Sequence, residues 1–105
     1  CALPISKEIT IGKELLASWD ITIMDTDSHY FKNMETEMLS EYSKAITIGK
    51  HCFIGSACTL LKGSYLPDGS VVAACSVVTK VLDRDNSLYG GSPARFIKPD
   101  IVYER

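Results

Sequence analysis

Residues 46–80 read ITIGKHCFIGSACTLLKGSYLPDGSVVAACSVVTK, and an aliphatic residue returns at every sixth position of this stretch. A small residue, Cys or Ser, stands four positions after each of the first five aliphatic residues. A period of six fits neither a helical face nor simple strand alternation, but it is the period of hexapeptide β-helix repeats. The stretch therefore predicts a coil of short strands. The aliphatic positions are Ile48, Ile54, Leu60, Leu66, Val72 and Val78.

Three hexapeptides are expected to make one triangular coil, so residues eighteen positions apart should stack. This predicts inward-facing stacks of Ile48 with Leu66, Ile54 with Val72 and Leu60 with Val78. Burial of each such side chain is worth about 1.5–3 kcal/mol. A glycine follows several of the inward residues, and we expect these glycines at tight corners that need unusual φ angles. They are Gly12, Gly49 and Gly55.

The same period occurs earlier, at Ile5, Ile11, Ala17 and Ile23, but in another register. Ile23 and Ile48 are 25 positions apart, four sixes plus one, so the two blocks cannot be continuous. Residues 29–45 lack the period, and we interpret them as a loop that leaves the stack, with a helical turn near 35–41.

The expected organisation is a single domain over residues 1–105. It comprises a first coil block (5–28), the loop (29–45), a second coil block (46–83) and a C-terminal segment (84–105) with a turn at 90–93. Residues 96 and 97 are expected to anchor that segment, and a short helix or extended tail should follow. The first block is short and the sequence begins with Cys1, so we expect one or more N-terminal coils to be missing. Open coil ends expose strand edges, which oligomerisation would cover.

Composition excludes several classes of protein. With 46% hydrophobic residues and a formal charge of −2, the chain is neither a disordered segment nor a nucleic-acid-binding surface. It has no apolar run of about 18 residues, so no membrane span is expected. The four cysteines form no CxxC pair, so a zinc knuckle or thioredoxin-type motif is not indicated. We expect reduced, buried thiols at Cys52 and Cys58, and a cytoplasmic location.

Several short motifs together resemble a known family. They are ITIG at 9–12, IMDTDSH at 23–29, ITIG at 46–49, VVTK at 77–80 and GGSPAR at 90–95. The combination resembles the left-handed β-helix acyltransferases of the hexapeptide-repeat family, in particular maltose- and galactoside-type sugar O-acetyltransferases. The resemblance implies an all-β, left-handed parallel β-helix that assembles as a homotrimer. It also implies that acetyl-CoA, as co-substrate, lies in a groove between subunits.

Transfer of an acetyl group to a hydroxyl needs a base that accepts the hydroxyl proton. Histidine suits this role near neutral pH, because its unperturbed pKa is about 6.5. The position of His29 resembles that of the family's catalytic histidine, which implies that His29 is the general base. Asp25 and Asp27, just before it, are expected either to orient the imidazole or to bind the acceptor, or else to be solvated. His51 is expected at the surface of a coil corner.

The resemblance also implies the residues that bind the co-substrate. Ser56 and Ala74 match positions that contact the pantetheine arm, and Thr79 and Lys80 match a pair near the nucleotide end. Here Ala73-Ala74-Cys75 replaces the family's Gly-Ala-Gly, so added side chains are expected to crowd the arm. Further positive charge near the nucleotide comes from Arg95 and Lys98.

Trp19 stands where an inward aliphatic residue is not expected. It is interpreted either as part of the acceptor cleft or as a subunit contact, and the acceptor is expected to be a small, sugar-like molecule.

Two readings of function remain open. The first is an acetyl-CoA-dependent O-acetyltransferase without a metal, although the residues do not separate hydroxyl from amine acceptors. The second is a truncated or inactive trimeric β-helix that serves as a scaffold or binding module. A β-helical carbonic anhydrase is excluded, because it needs three histidine ligands for zinc and the chain has two histidines.

Overall fold

The computed structural model of the chain describes residues 8–26, 32–38 and 43–104. Over these residues the backbone forms strands joined by tight turns, and no helix long and apolar enough to cross a membrane occurs among them. Coil 1 contains β1 (Ile9–Ile11), β2 (Leu16–Ala17) and β3 (Thr22–Ile23). Coil 2 contains β4 (Ile46–Ile48), β5 (Phe53–Ile54) and β6 (Thr59–Leu60). Coil 3 contains β7 (Tyr65–Leu66), β8 (Val71–Val72) and β9 (Val77–Val78), and a hairpin of β10 (Leu88–Gly91) and β11 (Ala94–Lys98) follows.

The coils stack so that each strand pairs in parallel with the equivalent strand of the next coil. The three resulting faces are sheet A (β1-β4-β7), sheet B (β2-β5-β8-β10-β11) and sheet C (β3-β6-β9). The register confirms the three predicted stacks, since Leu66, Val72 and Val78 stand opposite Ile48, Ile54 and Leu60. The chain therefore forms a triangular parallel β-helix.

Coil 1 joins the same stacks although its sequence register differs. Ile11, Ala17 and Ile23 pair with Ile48, Ile54 and Leu60, each 37 positions later. One coil accounts for 18 of those positions, so 19 residues are inserted between coils 1 and 2. The insertion is closed at its root, where Thr26 bridges Ser43 and the Lys44 amide donates to the Asp25 carbonyl at 3.0 Å.

Within the insertion, residues 32–38 contain a turn organised by Asn33. Its side-chain oxygen accepts from the amides of Glu35 and Thr36 at 2.9 and 3.0 Å, and its carbonyl accepts from the Glu37 amide. The Glu37–Asn33 bond joins residues four apart, as in an α-helix, and the Asn33 side chain caps the first amides, so residues 33–37 form one isolated helical turn. The helical turn expected near 35–41 thus begins earlier, at Asn33, and residues 39–41 lie outside the described residues.

The small residues of the repeat lie inside the stack and donate hydrogen bonds to backbone carbonyls of the preceding turn or of the next coil. Ser70 and Ser76 each donate a hydrogen bond to a carbonyl three residues earlier, at 2.6 and 2.7 Å. The Cys58 thiol donates to the Ala73 carbonyl at 3.1 Å. Burial raises the pKa of Cys52 and Cys58, so both thiols stay protonated. The expectation of buried, reduced thiols at these two positions is confirmed.

The glycines that follow inward residues have a different role from the expected one. Gly12, Gly49 and Gly55 do not adopt positive φ angles. A Cβ atom on Gly55 would lie 2.6 Å from the Ala74 amide nitrogen, and one on Gly12 would lie 2.7 Å from the Gly49 carbonyl carbon. Glycine is needed at these places because consecutive coils approach too closely for a side chain, and the prediction of unusual φ was wrong.

The hairpin caps the last coil. β10 adds to sheet B in parallel with β8, and β11 returns antiparallel to it, which covers one free edge. The buried hydroxyl of Tyr89 donates to the Arg84 carbonyl at 2.7 Å and accepts from the Arg84 amide at 2.8 Å. Burial raises the pKa of Tyr89.

Two expectations for the C-terminal segment need correction. Gly90 and Gly91 belong to β10, so the predicted turn at 90–93 reduces to Ser92 and the cis Pro93. Residues 99–104 form an extended tail, the second of the two alternatives, because the Ile101 amide is bonded to the Asn86 carbonyl at 2.8 Å.

A matched pair of substitutions tests the inward ladder. Ile48 is 1% exposed, and its stacking partner Ile11 in coil 1 is 49% exposed. We expect Ile48→Ala to lower the free energy of unfolding by about 2–5 kcal/mol, because it leaves a cavity between two coils. Ile11→Ala should cost less than half as much. Urea unfolding of both variants measures the difference, and equal losses would contradict the assigned core.

Candidate active site

Two corners flank sheet C, and they carry most of the residues singled out by the sequence. The B–C corner is formed by the turns that lead from sheet B into sheet C, at residues 18–20, 55–57 and 73–75. The C–A corner is formed by the residues that follow sheet C, at 24–26, 61–63 and 79–80. Each strand of sheet C has two residues, so the two corners are close together.

The B–C corner aligns three predicted site residues in one column. The Ala57 amide donates to the Trp19 carbonyl at 3.0 Å, and the Cys75 amide donates to the Ser56 carbonyl at 2.9 Å. Trp19, Ser56 and Ala74 therefore occupy successive rungs, about 4.8 Å apart as in any β-sheet. Trp19 is 74% exposed, and Ala74 is also exposed.

Each turn of this corner contains a non-glycine residue in the left-handed region. These residues are Asp20, Ala57 and Cys75, with φ of 59°, 58° and 61°. Such backbone costs a residue with a Cβ about 1–2 kcal/mol. The repetition at every rung shows that stacking imposes the turn geometry, and it explains why a glycine would suit position 75.

Ala73 does not obstruct the corner. A Cβ atom built on Gly90 of the hairpin would lie 3.2 Å from the Ala73 methyl group, so that methyl group faces the hairpin. A glycine at position 90 leaves room for this methyl group, and the predicted crowding of the pantetheine arm stays a prediction. The side chain of Cys75 is exposed at the surface of the corner.

The C–A corner carries Thr79 and Lys80 on its third rung, where both are exposed. The Lys80 carbonyl accepts from the Tyr65 amide at 3.3 Å, which fixes the backbone at this point. Asp25 lies on the first rung of the same corner, at the root of the insertion, and is only 7% exposed.

A cavity of about 360 Å³ brings together two predicted cations at the capped end. Lys80 comes from the C–A corner and Arg95 from β11, and both residues line the same space, as does the acidic Asp83. Lys98 lies at the other end of β11, opposite Leu88, and is not part of this lining. The full lining is Lys80, Val81, Leu82, Asp83, Tyr89, Ala94, Arg95 and Phe96.

The hairpin joins this cavity to the B–C corner. The Gly91 amide donates to the Ser76 hydroxyl at 3.1 Å, so the hairpin turn sits over the third rung of that corner. Ala94 and Arg95 follow directly and line the cavity. An exposed column of turns thus leads up to a space with two cationic side chains.

Sequence reasoning missed the aromatic wall of the cavity. Phe96, expected as an apolar anchor, is 41% exposed. The Arg84 guanidinium lies 4.5 Å from its ring centroid, and Tyr89 meets it edge-on at 6.2 Å. No signal in the sequence links positions 84 and 96, because their contact depends on the way the hairpin folds back.

The root of the insertion holds a second feature that the sequence did not indicate. Ser43 is 4% exposed. In the described part of the chain, its hydroxyl is buried without a hydrogen-bond partner. The predicted base His29 and its neighbour Asp27 lie outside the described residues.

The described residues thus define a capped parallel β-helix with an exposed turn column and a cationic cavity. A scan against protein-family models gave no match. Among curated proteins, the chain is 35% identical over 92 residues to the galactoside O-acetyltransferase of Escherichia coli K12, which covers 86% of this chain and 43% of that protein. The chain spans about half the length of the relatives it matches.

Solved structures agree with the sequence comparison. The polysialic acid O-acetyltransferase OatWY superposes with a TM-score of 0.86 and 33% identity, over 92% of this chain and 46% of that one. Galactoside acetyltransferase in complex with coenzyme A gives a TM-score of 0.72 and 32% identity, over 88% of this chain and 45% of that one.

The chain belongs to the hexapeptide-repeat acyltransferase family. The predicted fold class, an all-β left-handed parallel β-helix, is confirmed.

Thiol alkylation tests the geometry of the B–C corner. Of the cysteines that the structure describes, Cys75 is exposed and Cys52 and Cys58 are buried. We expect iodoacetamide to modify Cys75 in the folded protein and to reach the other two after unfolding, since a buried protonated thiol is a poor nucleophile. Peptide mass spectrometry with and without urea reads out each site. Equal labelling of Cys58 and Cys75 without urea would contradict the assigned burial.

Proposed function

We propose that the chain is part of an acetyl-CoA-dependent O-acetyltransferase that modifies a hydroxyl of a sugar or sugar-like acceptor. The observation that carries this proposal is the column of exposed turns that leads to a cavity lined by Lys80 and Arg95. The likeness to galactoside and polysialic acid O-acetyltransferases supports the acetyl transfer and the class of acceptor. The acceptor itself, and hydroxyl rather than amine transfer, belong to the proposal.

Two residues of the cavity lining, Lys80 and Arg95, suit the phosphates of coenzyme A. Arg95 can pair with a phosphate through two N–H groups, while Lys80 adds a second positive charge in the same space. The nucleotide end is assigned to this cavity. The pantetheine arm is assigned to the B–C corner, beside Ser56 and Ala74, with Thr79 nearby on the opposite corner. When bound, acetyl-CoA supplies the acetyl group as a thioester.

The acceptor is assigned to the coil 1 end of the same groove. Trp19 offers an exposed aromatic surface against which the apolar face of a sugar ring can pack. His29 is proposed to take the proton from the acceptor hydroxyl, in line with its place in the IMDTDSH motif. Asp25 is buried at the loop root, which favours a role in holding the loop over direct contact with the acceptor.

The assembly and location are part of the same proposal. A homotrimer in the cytoplasm is proposed, with a neighbouring copy completing the groove. No metal is needed for the chemistry, because a histidine base and a thioester suffice.

The alternative, a scaffold without activity, is favoured by one observation. Cys75 replaces glycine at a position with φ of 61°, and its side chain is exposed where the pantetheine arm is assigned. If that side chain blocks the arm, the fold would persist without acetyl-CoA binding.

Calorimetric titration of acetyl-CoA separates the two functions. We expect saturable binding to the unaltered chain. Lys80→Ala and Arg95→Ala should each weaken the affinity about tenfold or more, since each removes a charged hydrogen bond. Lys13→Ala, an exposed lysine in coil 1, is the matched control and should bind normally. Absence of binding at millimolar acetyl-CoA would support the alternative function, a scaffold without activity. Equal affinities for all four proteins would show that the cavity is not part of the acetyl-CoA site.

Substitution of the proposed base tests the chemical step. His29→Ala should lower the rate of acetyl transfer by a factor of about 10²–10⁴, because a general base contributes that much. Acetyl-CoA affinity should stay within about twofold, because the base acts on the acceptor. The readout is thiol release with galactosides and sialic acid polymers as acceptors. Turnover that persists in the variant would contradict the role of His29.

A further inference from the structure

The C-terminal tail runs along the corner between sheets A and B, which lies opposite sheet C and the candidate site. It leaves the cap at Ile101, whose amide donates to the Asn86 carbonyl at 2.8 Å. Two residues later, Tyr103 reaches coil 2 and coil 1. Its ring stacks on the His51 imidazole, with centroids 4.1 Å apart and planes inclined by 8°, and it lies 6.0 Å from the Phe53 ring.

Tyr103 is tied to coil 1 by a direct hydrogen bond. Its hydroxyl donates to the Glu14 carbonyl at 2.6 Å. Its own carbonyl accepts from His51 Nε2 at 3.1 Å, which assigns a proton to that nitrogen because a carbonyl can only accept. The other imidazole nitrogen faces a Glu14 carboxylate oxygen at 3.8 Å. His51, expected at the surface of a corner, is therefore the bridge between tail and coil 1.

Among the described residues, coil 1 is less buried than coils 2 and 3. Among the described residues it has one neighbouring coil, and its ladder residue Ile11 is half exposed while Ile48 is buried. Its contacts to coil 2 include hydrogen bonds in all three sheets, such as Leu16 to Cys52 and Thr22 to Cys58, each at 3.0 Å. Its apolar side chains Leu15, Ile21 and Ile23 pack against the core but are only partly buried. A segment with few buried apolar contacts opens more easily than the rest of a structure.

We propose that the tail residues Ile101–Tyr103 act as a strap that holds coil 1 on the stack, and that release of Tyr103 opens coil 1 while coils 2 and 3 stay folded. The strap links the capped end to coil 1 through Asn86, His51 and Glu14. Coil 1 carries Trp19 and Asp25, so the strap also fixes the end of the groove assigned to the acceptor. This inference does not depend on the proposed function, because it rests on contacts of the opposite face.

Hydrogen–deuterium exchange of the full chain tests the strap. In Tyr103→Ala we expect the coil 1 amides of residues 12–24 to exchange about tenfold faster, since a stacked ring and a hydrogen bond are lost. Amides between coils 2 and 3, such as those of Gly55 and Cys75, should exchange as in the unaltered chain. Val102→Ala, an exposed neighbour on the same tail, is the matched control and should change neither set.

Two further variants keep the test decisive. His51→Asn removes the ring, and Asn tolerates the φ of 55° found at this position, so it should reproduce the coil 1 pattern. Tyr103→Phe keeps the stack and removes one hydrogen bond, so coil 1 exchange should rise about threefold even if the alanine variant fails to fold. Uniform acceleration over all three coils would overturn the proposal. Unchanged exchange in Tyr103→Ala and His51→Asn would overturn it as well.

Discussion

The structure depends on the close stacking of very short parallel strands. Each strand of the three coils supplies two or three residues, which is too few to hold a sheet alone, so stability comes from repetition along three faces at once. In every two-residue strand of coils 2 and 3, the second residue faces inward and is aliphatic. The coils approach so closely that there is no room for a Cβ atom at Gly12, Gly49 or Gly55. The aliphatic period and the glycines are therefore two consequences of one spacing.

The inward ladder was predictable from sequence because it depends on local period alone. Ile48, Ile54 and Leu60 repeat at intervals that only a triangular coil satisfies, and the register follows by counting eighteen positions. The glycines were located correctly but explained wrongly. Their need arises from the backbone of the next coil, eighteen residues away, and a φ-based argument considers only neighbours in sequence.

The candidate site was harder to predict because it joins segments that the repeat does not relate. The column of Trp19, Ser56 and Ala74 follows from stacking once the insertion is counted as 19 residues. The cavity depends on the hairpin, which folds back after the repeat has ended. Lys80 and Arg95 meet there while Lys98 does not, although charge and sequence proximity gave no reason to separate them.

The two ends of the described stack differ in structure, and each end suits a different ligand. At the capped end Tyr89 is buried, and its hydroxyl bonds both the backbone amide and the carbonyl of Arg84. At the coil 1 end of the described residues, Ile11 of the ladder is half exposed, and the insertion follows coil 1. The proposed function places the phosphates of the co-substrate, which do not vary, in the cavity at the capped end. It places the acceptor beside the exposed Trp19 of coil 1, and acceptors differ between related enzymes, as the names galactoside and polysialic acid O-acetyltransferase show. The tail joins both ends, so the geometry between them is set by contacts outside the groove.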